Sequence, residues 1–459
     1  MTDTQTKIVL LGTCDTKLEE LLHLRSLILS CSLPDSDTSV ILIDVGRQAV
    51  SHPDITIPQP AVLEHVPRDT AQQDVGTLPR GELIKYMIPC AINVVQSLMS
   101  NTAQPIHAII SAGGSGGTSL ASAVMRGLPI GFPKLIVSTV ASGDTGPLIG
   151  ETDISMTYSV VDIAGLNEVL HDVFSNAAGA IVGMAKAYAS RHSTSNSDFP
   201  AASSTKQATD SKRRKLRIGL TMFGVTTPCI DACRRYLDHL SSLPISDHPY
   251  TYEPYVFHAT GHGGLAMERL VRTSRLDALL DLTTTELCDH LVGGVMSAGP
   301  ERLRAAAERG IPQVISFGAC DMVNFGGQAN VPKQFVDGGR KLYEHNPTVT
   351  LMRTTVEECR QVGEFMVAQL RRYVKSPGRV VVVVPEGGVS VMSVPGGAFE
   401  DKDASETLFN TVEEGLSGSR IQTVRDRRAI NDDGFAKAVV DKLVSLIRES
   451  EAAGLWAVP

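Results

Sequence analysis

Residues 106–126 read IHAIISAGGSGGTSLASAVMR, and this stretch decides the fold. Its opening, Ile106–Ser111, has the apolar, β-branched character of a buried strand, and Ser119–Arg126 suits a helix. Between them lies Gly113-Gly114-Ser115-Gly116-Gly117-Thr118. Four glycines in five positions permit positive φ and remove the Cβ atoms that would block a ligand. Consecutive backbone N–H groups can then converge on an anion, aided by the helix N-terminus behind them. Ser115 and Thr118 add hydroxyl donors. The turn is neither GxxxxGK[ST] nor GxGxxG. A close-packed strand-to-helix turn is the alternative reading.

The same alternation extends to both sides. Lys7–Leu11, Val40–Asp44 and Lys134–Thr139 read as strands; Leu18–Ser30, Gly81–Met99 and Ile163–Ala189 read as helices. Residues 191–215, RHSTSNSDFPAASSTKQATDSKRRK, have no apolar period and read as a flexible linker. The pattern then restarts with strands over Leu216–Thr221, Tyr252–Phe257, Leu276–Asp281, Gln313–Phe317, Arg379–Val384 and Arg420–Val424. Helices are expected to run through Leu240 and over Lys333–Glu344, Val356–Val374, Ala404–Gly415 and Gly434–Glu449. Near-continuous apolar strands between helices imply parallel sheets covered on both faces. The expected fold is therefore α/β: two Rossmann-like domains, 1–190 and 216–459, with mainly parallel sheets facing each other across a cleft.

The chain of 459 residues is 42% hydrophobic and 20% charged, with a net charge of −8. That composition suits a globular protein and argues against a nucleic-acid coat or an anionic-membrane binder. The N-terminus has no basic segment followed by an apolar run, and the longest apolar runs are too short to span a bilayer. The eight cysteines are scattered and form no CxxC pair, which points to reduced thiols and a cytoplasmic setting.

Ligands of open α/β sheets sit beyond the carboxyl ends of the strands. The first such loop is Gly12-Thr13-Cys14-Asp15-Thr16-Lys17. Thr16 and Glu19 fit a capping box. Lys17 at a helix start opposes the macrodipole, and a bound phosphate would offset that. Asp44 ends the next strand, where a carboxylate reaches a ribose hydroxyl in dinucleotide folds or simply closes a solvated turn. Arg47 and Arg80 are further candidate anion contacts, the alternative being ordinary surface arginines. Asp144 either holds a metal or substrate hydroxyl or satisfies turn amides; Mg²⁺ takes one or two carboxylates beside phosphate oxygens.

In the second half, HATGHGG carries His258 and His262, and its glycines argue against a helix there. Glu286 ends TTTE, Asp321 and Asn324 lie in CDMVNFG, and His345 follows a helix-patterned stretch. Arg353 and Glu386 are further ionisable groups near strand ends. If His258, His262, Glu286, Asp321 and His345 converge, they form an acid/base pocket facing the nucleotide. Taken singly, each also fits a structural hydrogen-bonding role.

These motifs together resemble the UPF0261 family, also called the Tm-1-like ATP-binding domain proteins. The resemblance rests on GTCDTK (12–17), GGSGGTSL (113–120), LPIGFPKLIVSTVASGDTG (128–146), TMFGVTTP (221–228), VFHATGHGGLAMERL (256–270), DLTTTEL (281–287), SFGACDMVNFG (316–326) and HNPTVTLMRT (345–354). It implies two Rossmann-like subdomains with ATP in the first. The implied contacts fall on Asp15, Thr16, Lys17, Arg80, Gly114, Ser115, Gly116 and Gly117. Arg47 stands where plant members have a nucleotide-contacting Thr. Those members resemble inhibitors of tobamovirus RNA replication and carry an added TIM-barrel domain that is not expected here. Homodimerisation is also implied by the resemblance. Two functions are carried forward. One is an ATP-binding, nucleotide-dependent enzyme acting on a small molecule in a polar interdomain pocket, with Mg²⁺ as a candidate companion. The other is a non-catalytic, nucleotide-gated binding protein.

Overall fold

Ile8, Val9, Leu10 and Leu11 follow one another in β1 (Thr6–Gly12), and all four are fully buried. Successive strand side chains point to opposite faces, so an unbroken apolar run needs cover on both. Ile8 and Leu10 pack with Leu21, Leu24 and Phe174; Val9 and Leu11 pack with Met87, Val94 and Met125. The structure, a computed structural model, describes residues 6–31, 38–193, 213–246 and 248–454. The chain divides into two compact units, Met1–Ser204 and Thr205–Pro459. Most of the expected linker, residues 194–212, lies outside the described residues. Residues 191–193 close the helix Glu168–Ser193, and 214–215 open the first strand of the second unit.

The first unit continues with β2 (Thr38–Asp44), β3 (Ile55–Ile57), β4 (Ala108–Gly113), β5 (Lys134–Ser138) and β6 (Ser155–Tyr158). They form one sheet in the order β3-β2-β1-β4-β5-β6, with every pair parallel. This is the Rossmann order, and its direction reverses between β1 and β4. The helices Cys14–Ser30 and Glu168–Ser193 supply one cover; Arg80–Ser100 and Ser115–Arg126 supply the other. Arg80–Ser100 is the one described helix long and apolar enough to cross a membrane. Its Met87, Cys90, Ala91, Val94 and Val95 are buried in the domain core instead.

The second unit contains β7 (Arg214–Met222), β8 (Tyr250–His258), β9 (Ala278–Thr283), β10 (Gln313–Gly318), β11 (Met322–Phe325), β12 (Leu342–Asn346), β13 (Val349–Arg353), β14 (Val380–Pro385) and β15 (Gln422–Asp426). Six of these form a parallel sheet in the order β15-β14-β10-β9-β7-β8, reversing between β7 and β9. Both halves are thus Rossmann-like. The remaining strands make an antiparallel sheet, β11-β13-β12. This sheet corrects the expected helix over Lys333–Glu344: the helix stops at Asp337 and β12 begins at Leu342. Gly338 and Gly339 separate the two, and Gly339 has φ +65°, a conformation that ends helices. All eight cysteines are free, and all but Cys31 are buried.

Candidate functional site

The loops after β1 and β4 flank the reversal point of the first sheet, where such folds hold ligands. The helix beyond β4 begins at Ser115 rather than Ser119, with Gly114 as its N-cap. Its first intrahelical bond runs from Thr118 N–H to Gly114 O, 2.9 Å. The N–H groups of Ser115, Gly116 and Gly117 therefore have no backbone acceptor, and they sit at the positive end of the helix dipole. None of Gly113, Gly114, Gly116 and Gly117 has a positive φ. The glycines thus serve space rather than backbone freedom. A Cβ on Gly117 would meet nothing within 4 Å, whereas one on Gly113 would lie 3.4 Å from Gly117 Cα. Thr118 is not the expected ligand donor: its hydroxyl is buried and bonds Gly113 O (3.2 Å) and Ser138 Oγ (2.7 Å).

A cavity of about 580 Å³ opens here, lined by Thr13, Asp15, Thr16, Lys17, Val45, Arg47, Arg80, Leu83, Ile84, Gly114 to Gly117, Leu120, Thr139 and Asp162. All nine residues expected to contact the nucleotide line it. Their roles differ. Lys17 is half-buried, and its Nζ donates to Ile163 O. Its backbone (φ −140°, ψ 32°) breaks the helix between an opening turn at Cys14 and the regular stretch from Leu18. The Thr16–Glu19 capping box does not form, because the Thr16 hydroxyl pairs with Thr13 Oγ1 (3.0 Å) and Thr13 O (3.3 Å).

Asp15 and Arg47 are largely committed to the protein. Asp15 Oδ2 accepts from Arg47 N–H (2.8 Å) and Gln48 N–H (3.2 Å). Arg47 Nη1 donates to the carbonyls of Val75 (3.1 Å), Gly76 (3.0 Å) and Leu78 (2.7 Å). Arg80 has no hydrogen bond or ion pair among the described residues, and it lies over Gly116. Asp44 is fully buried, which corrects its reading as a ribose contact or solvated turn. Its Oδ1 accepts from Cys14 N–H (3.0 Å) and Gly46 N–H (2.9 Å). Burial holds the Asp44 carboxyl above its ordinary range, and burial beside Asp44 also pushes the Cys14 thiol up. Asp144 Oδ1 accepts from Gly146 N–H at 2.9 Å, the turn-amide alternative.

Sequence reasoning missed Asp162, Thr139 and the apolar wall of Val45, Leu83, Ile84 and Leu120. Asp162 lies in TYSVVDIAG, which carries no motif, and the wall looks like any helix or strand apolar face.

Of the second-unit set, the structure brings Glu286 against the loop that carries His258 and His262. Glu286 is fully buried; its Oε1 accepts from Gly261 N–H (2.8 Å) and Gly264 N–H (3.0 Å), and its Oε2 pairs with Arg302 Nε (2.8 Å). Arg302, equally buried, is also bidentate with Asp281 at 2.6 Å. Burial raises the Glu286 carboxyl while Arg302 opposes it. The Glu286 carboxylate serves the N-terminal amides of the helix His262–Arg272, a helix that the glycines had argued against. Gly261 enters it at φ +87°, close against Ser297 O. Asp321 is buried and accepts from Ser390 Oγ at 2.7 Å. His345 sits on β12, exposed, and does not follow a helix. His258 stacks on Phe223, with ring centroids 5.6 Å apart. No hydrogen bond or ion pair joins these five residues through their side chains among the described residues. They line neither the first-unit cavity nor two others, one around His107 and Tyr188, one around Glu386 and Ser405. Among the described residues no group of three or more His, Cys, Asp or Glu is placed to hold a metal.

Two Rossmann-like units with a cradle at the first reversal point define the class. Residues 6–190 match the N-terminal domain model, and residues 215–447 the C-terminal domain model, of an uncharacterised protein family, UPF0261. The chain belongs to the UPF0261 family. A UPF0261 protein of Clostridium tetani is 40% identical over 96% of this chain and 99% of its own length. One of Mesorhizobium japonicum is 40% identical over 94% and 97%. The ToMV resistance protein Tm-1(GCR237) of Solanum lycopersicum is 38% identical over 97% of this chain and 56% of its own. The ToMV susceptible protein tm-1(GCR26) matches to the same degree, so the likeness does not separate resistance from susceptibility. A solved UDP-N-acetylglucosamine 2-epimerase aligns with 68% of this chain and 79% of its own at 12% identity; its TM-score of 0.18 carries no functional argument.

Proposed function

We propose that the first unit binds ATP at the β1–β4 reversal and that the protein is a nucleotide-gated binding protein. The observation that carries this reading is the trio of N–H groups at Ser115, Gly116 and Gly117, without acceptors among the described residues, in residues that line a cavity with open space beside Gly117. Lys17 and Arg80 bring positive charge to the same cavity, where charge-assisted hydrogen bonds to phosphate are strong. The volume of about 580 Å³ suits a small-molecule ligand. Val45, Leu83, Ile84 and Leu120 offer an apolar wall for a base, opposite in character to the amide cradle. Asp162 is exposed, so its carboxylate is free to meet a Mg²⁺ carried on the phosphates.

Binding without turnover is favoured over catalysis because Glu286 and Asp321, the two carboxylates among the five acid/base candidates, are buried and committed to other groups. The enzyme reading retains one supporting observation: His258 and His262 are exposed and have no hydrogen-bond partners on their rings among the described residues. An ATPase and phosphotransfer assay with the full chain, Mg·ATP and a metabolite mixture separates the two. The expected result is saturable ATP binding without turnover. Turnover above the uncatalysed rate, abolished by His258→Ala or His262→Ala, would establish the enzyme instead.

A further inference from the structure

We infer that Arg47 is a positioning residue: it clamps the segment Val75–Leu78 and thereby sets Arg80 over Gly116. The inference rests on the phosphate reading of this cavity. Four observations carry it. Arg47 Nη1 donates to three carbonyls, those of Val75, Gly76 and Leu78, at 2.7 to 3.1 Å. These carbonyls immediately precede Pro79 and Arg80, where the helix starts with no side-chain cap. Among the described residues, no other side chain from outside residues 67–86 hydrogen-bonds to residues 74–79. The backbone of Arg47 is fixed in turn: its N–H donates to Asp15 and its C=O accepts from Gln59 Nε2 at 3.1 Å.

The Arg80 side chain makes no hydrogen bond among the described residues, yet its guanidinium stands 2.9 Å from the position a Gly116 Cβ would take. A long side chain with no partner loses considerable rotamer entropy on binding. Holding its backbone in place is then the way to keep it beside the amide cradle. The line of contacts runs from the loop after β1, through Asp15 and Arg47, to the segment that carries Arg80. An arginine whose Nη1 is spent on carbonyls acts on the ligand through Arg80.

The test is a double-mutant cycle on the full chain, read by calorimetric titration with ATP, combined with hydrogen exchange of residues 74–83 in nucleotide-free protein. Arg80→Ala should weaken ATP about tenfold or more, the scale of one charge-assisted hydrogen bond. Arg47→Ala should cost a similar factor, and the double variant little more than Arg80→Ala alone. Exchange over 74–83 should quicken in Arg47→Ala. Arg47→Lys, whose ammonium carries three N–H donors where Arg47 Nη1 shares two among three carbonyls, should restore part of both readouts and serves if the alanine variant does not fold. Additive losses in the cycle would make Arg47 an independent ligand contact and overturn the inference, as would unchanged exchange. If wild-type protein fails to bind ATP, the phosphate reading falls, while the exchange arm still reports on the clamp by itself.

Discussion

Arg80 Nη2 lies 2.9 Å from the point where a Cβ on Gly116 would sit, with Ile84 Cδ1 at 3.3 Å from the same point. The two residues belong to different helices, and the glycine makes room for the guanidinium. Gly116→Ala should therefore push Arg80 away from the cradle without disturbing the core, since the close atoms are side-chain ends. The expected loss of ATP affinity is about 1–3 kcal/mol, comparable to removing Arg80, with a thermal midpoint near wild type. An affinity equal to wild type would show that Arg80 over Gly116 is unrelated to the ligand.

Lys17 is held at the rim through its bond to Ile163 O. Lys17→Ala should weaken ATP binding by about 1–3 kcal/mol, and the remaining binding should depend less steeply on salt. Titration at two ionic strengths measures both effects. A loss of affinity with an unchanged salt dependence would place Lys17 in loop structure rather than on phosphate.

Glu286 is read as the internal anion for a helix N-terminus and for Arg302. Removing one partner of a buried ion pair typically costs about 3–5 kcal/mol, and Glu286→Ala should lower stability by that order in denaturant unfolding. Glu286→Gln should also destabilise, because it removes the charge facing Arg302. A glutamine variant as stable as wild type but devoid of some newly found activity would return Glu286 to the catalytic reading.

Asp289 provides a pH prediction. It is buried, accepts from Met296 N–H (2.8 Å) and Asn324 N–H (2.7 Å), and burial pushes its carboxyl up to about 7. An unfolded aspartate titrates near 4. The folded state then binds the proton more tightly, so stability attributable to this group is present below about pH 4 and is lost as pH rises to about 7. Unfolding followed at pH 5 and pH 7.5 should show a larger fall for wild type than for Asp289→Asn. Equal falls would contradict the shift.

Much of the fold was legible because it rests on period and punctuation. The buried run Ile8–Leu11 and the Val380–Val384 run announce covered parallel strands, and the Gly113–Gly117 turn marks the reversal point. Motifs and resemblance also pointed to nine residues that line one cavity. Partners distant in sequence were not. Arg47 looked like an anion contact because nothing local reveals that its acceptors lie near residue 76. Arg302, in PERLRAAAERG, carries no local sign that it is a buried hub for Asp281, Glu286 and Glu268. The helix at His262 defied its glycines because Glu286, more than twenty residues on, accepts from Gly261 and Gly264 N–H. The β11-β13-β12 sheet escaped because its strands are short and its pairings antiparallel inside an otherwise parallel pattern.

The central claim is that open space beside Gly117 is where ATP phosphates sit. Gly117→Val tests it most directly, since a Cβ there meets nothing within 4 Å beyond its own helix backbone. Calorimetric titration of the full chain with Mg·ATP should give saturable binding for wild type, and at least about a tenfold loss, roughly 1.4 kcal/mol, for the folded variant. A folded Gly117→Val protein that binds Mg·ATP as wild type does, or a wild type that binds none, would contradict the account.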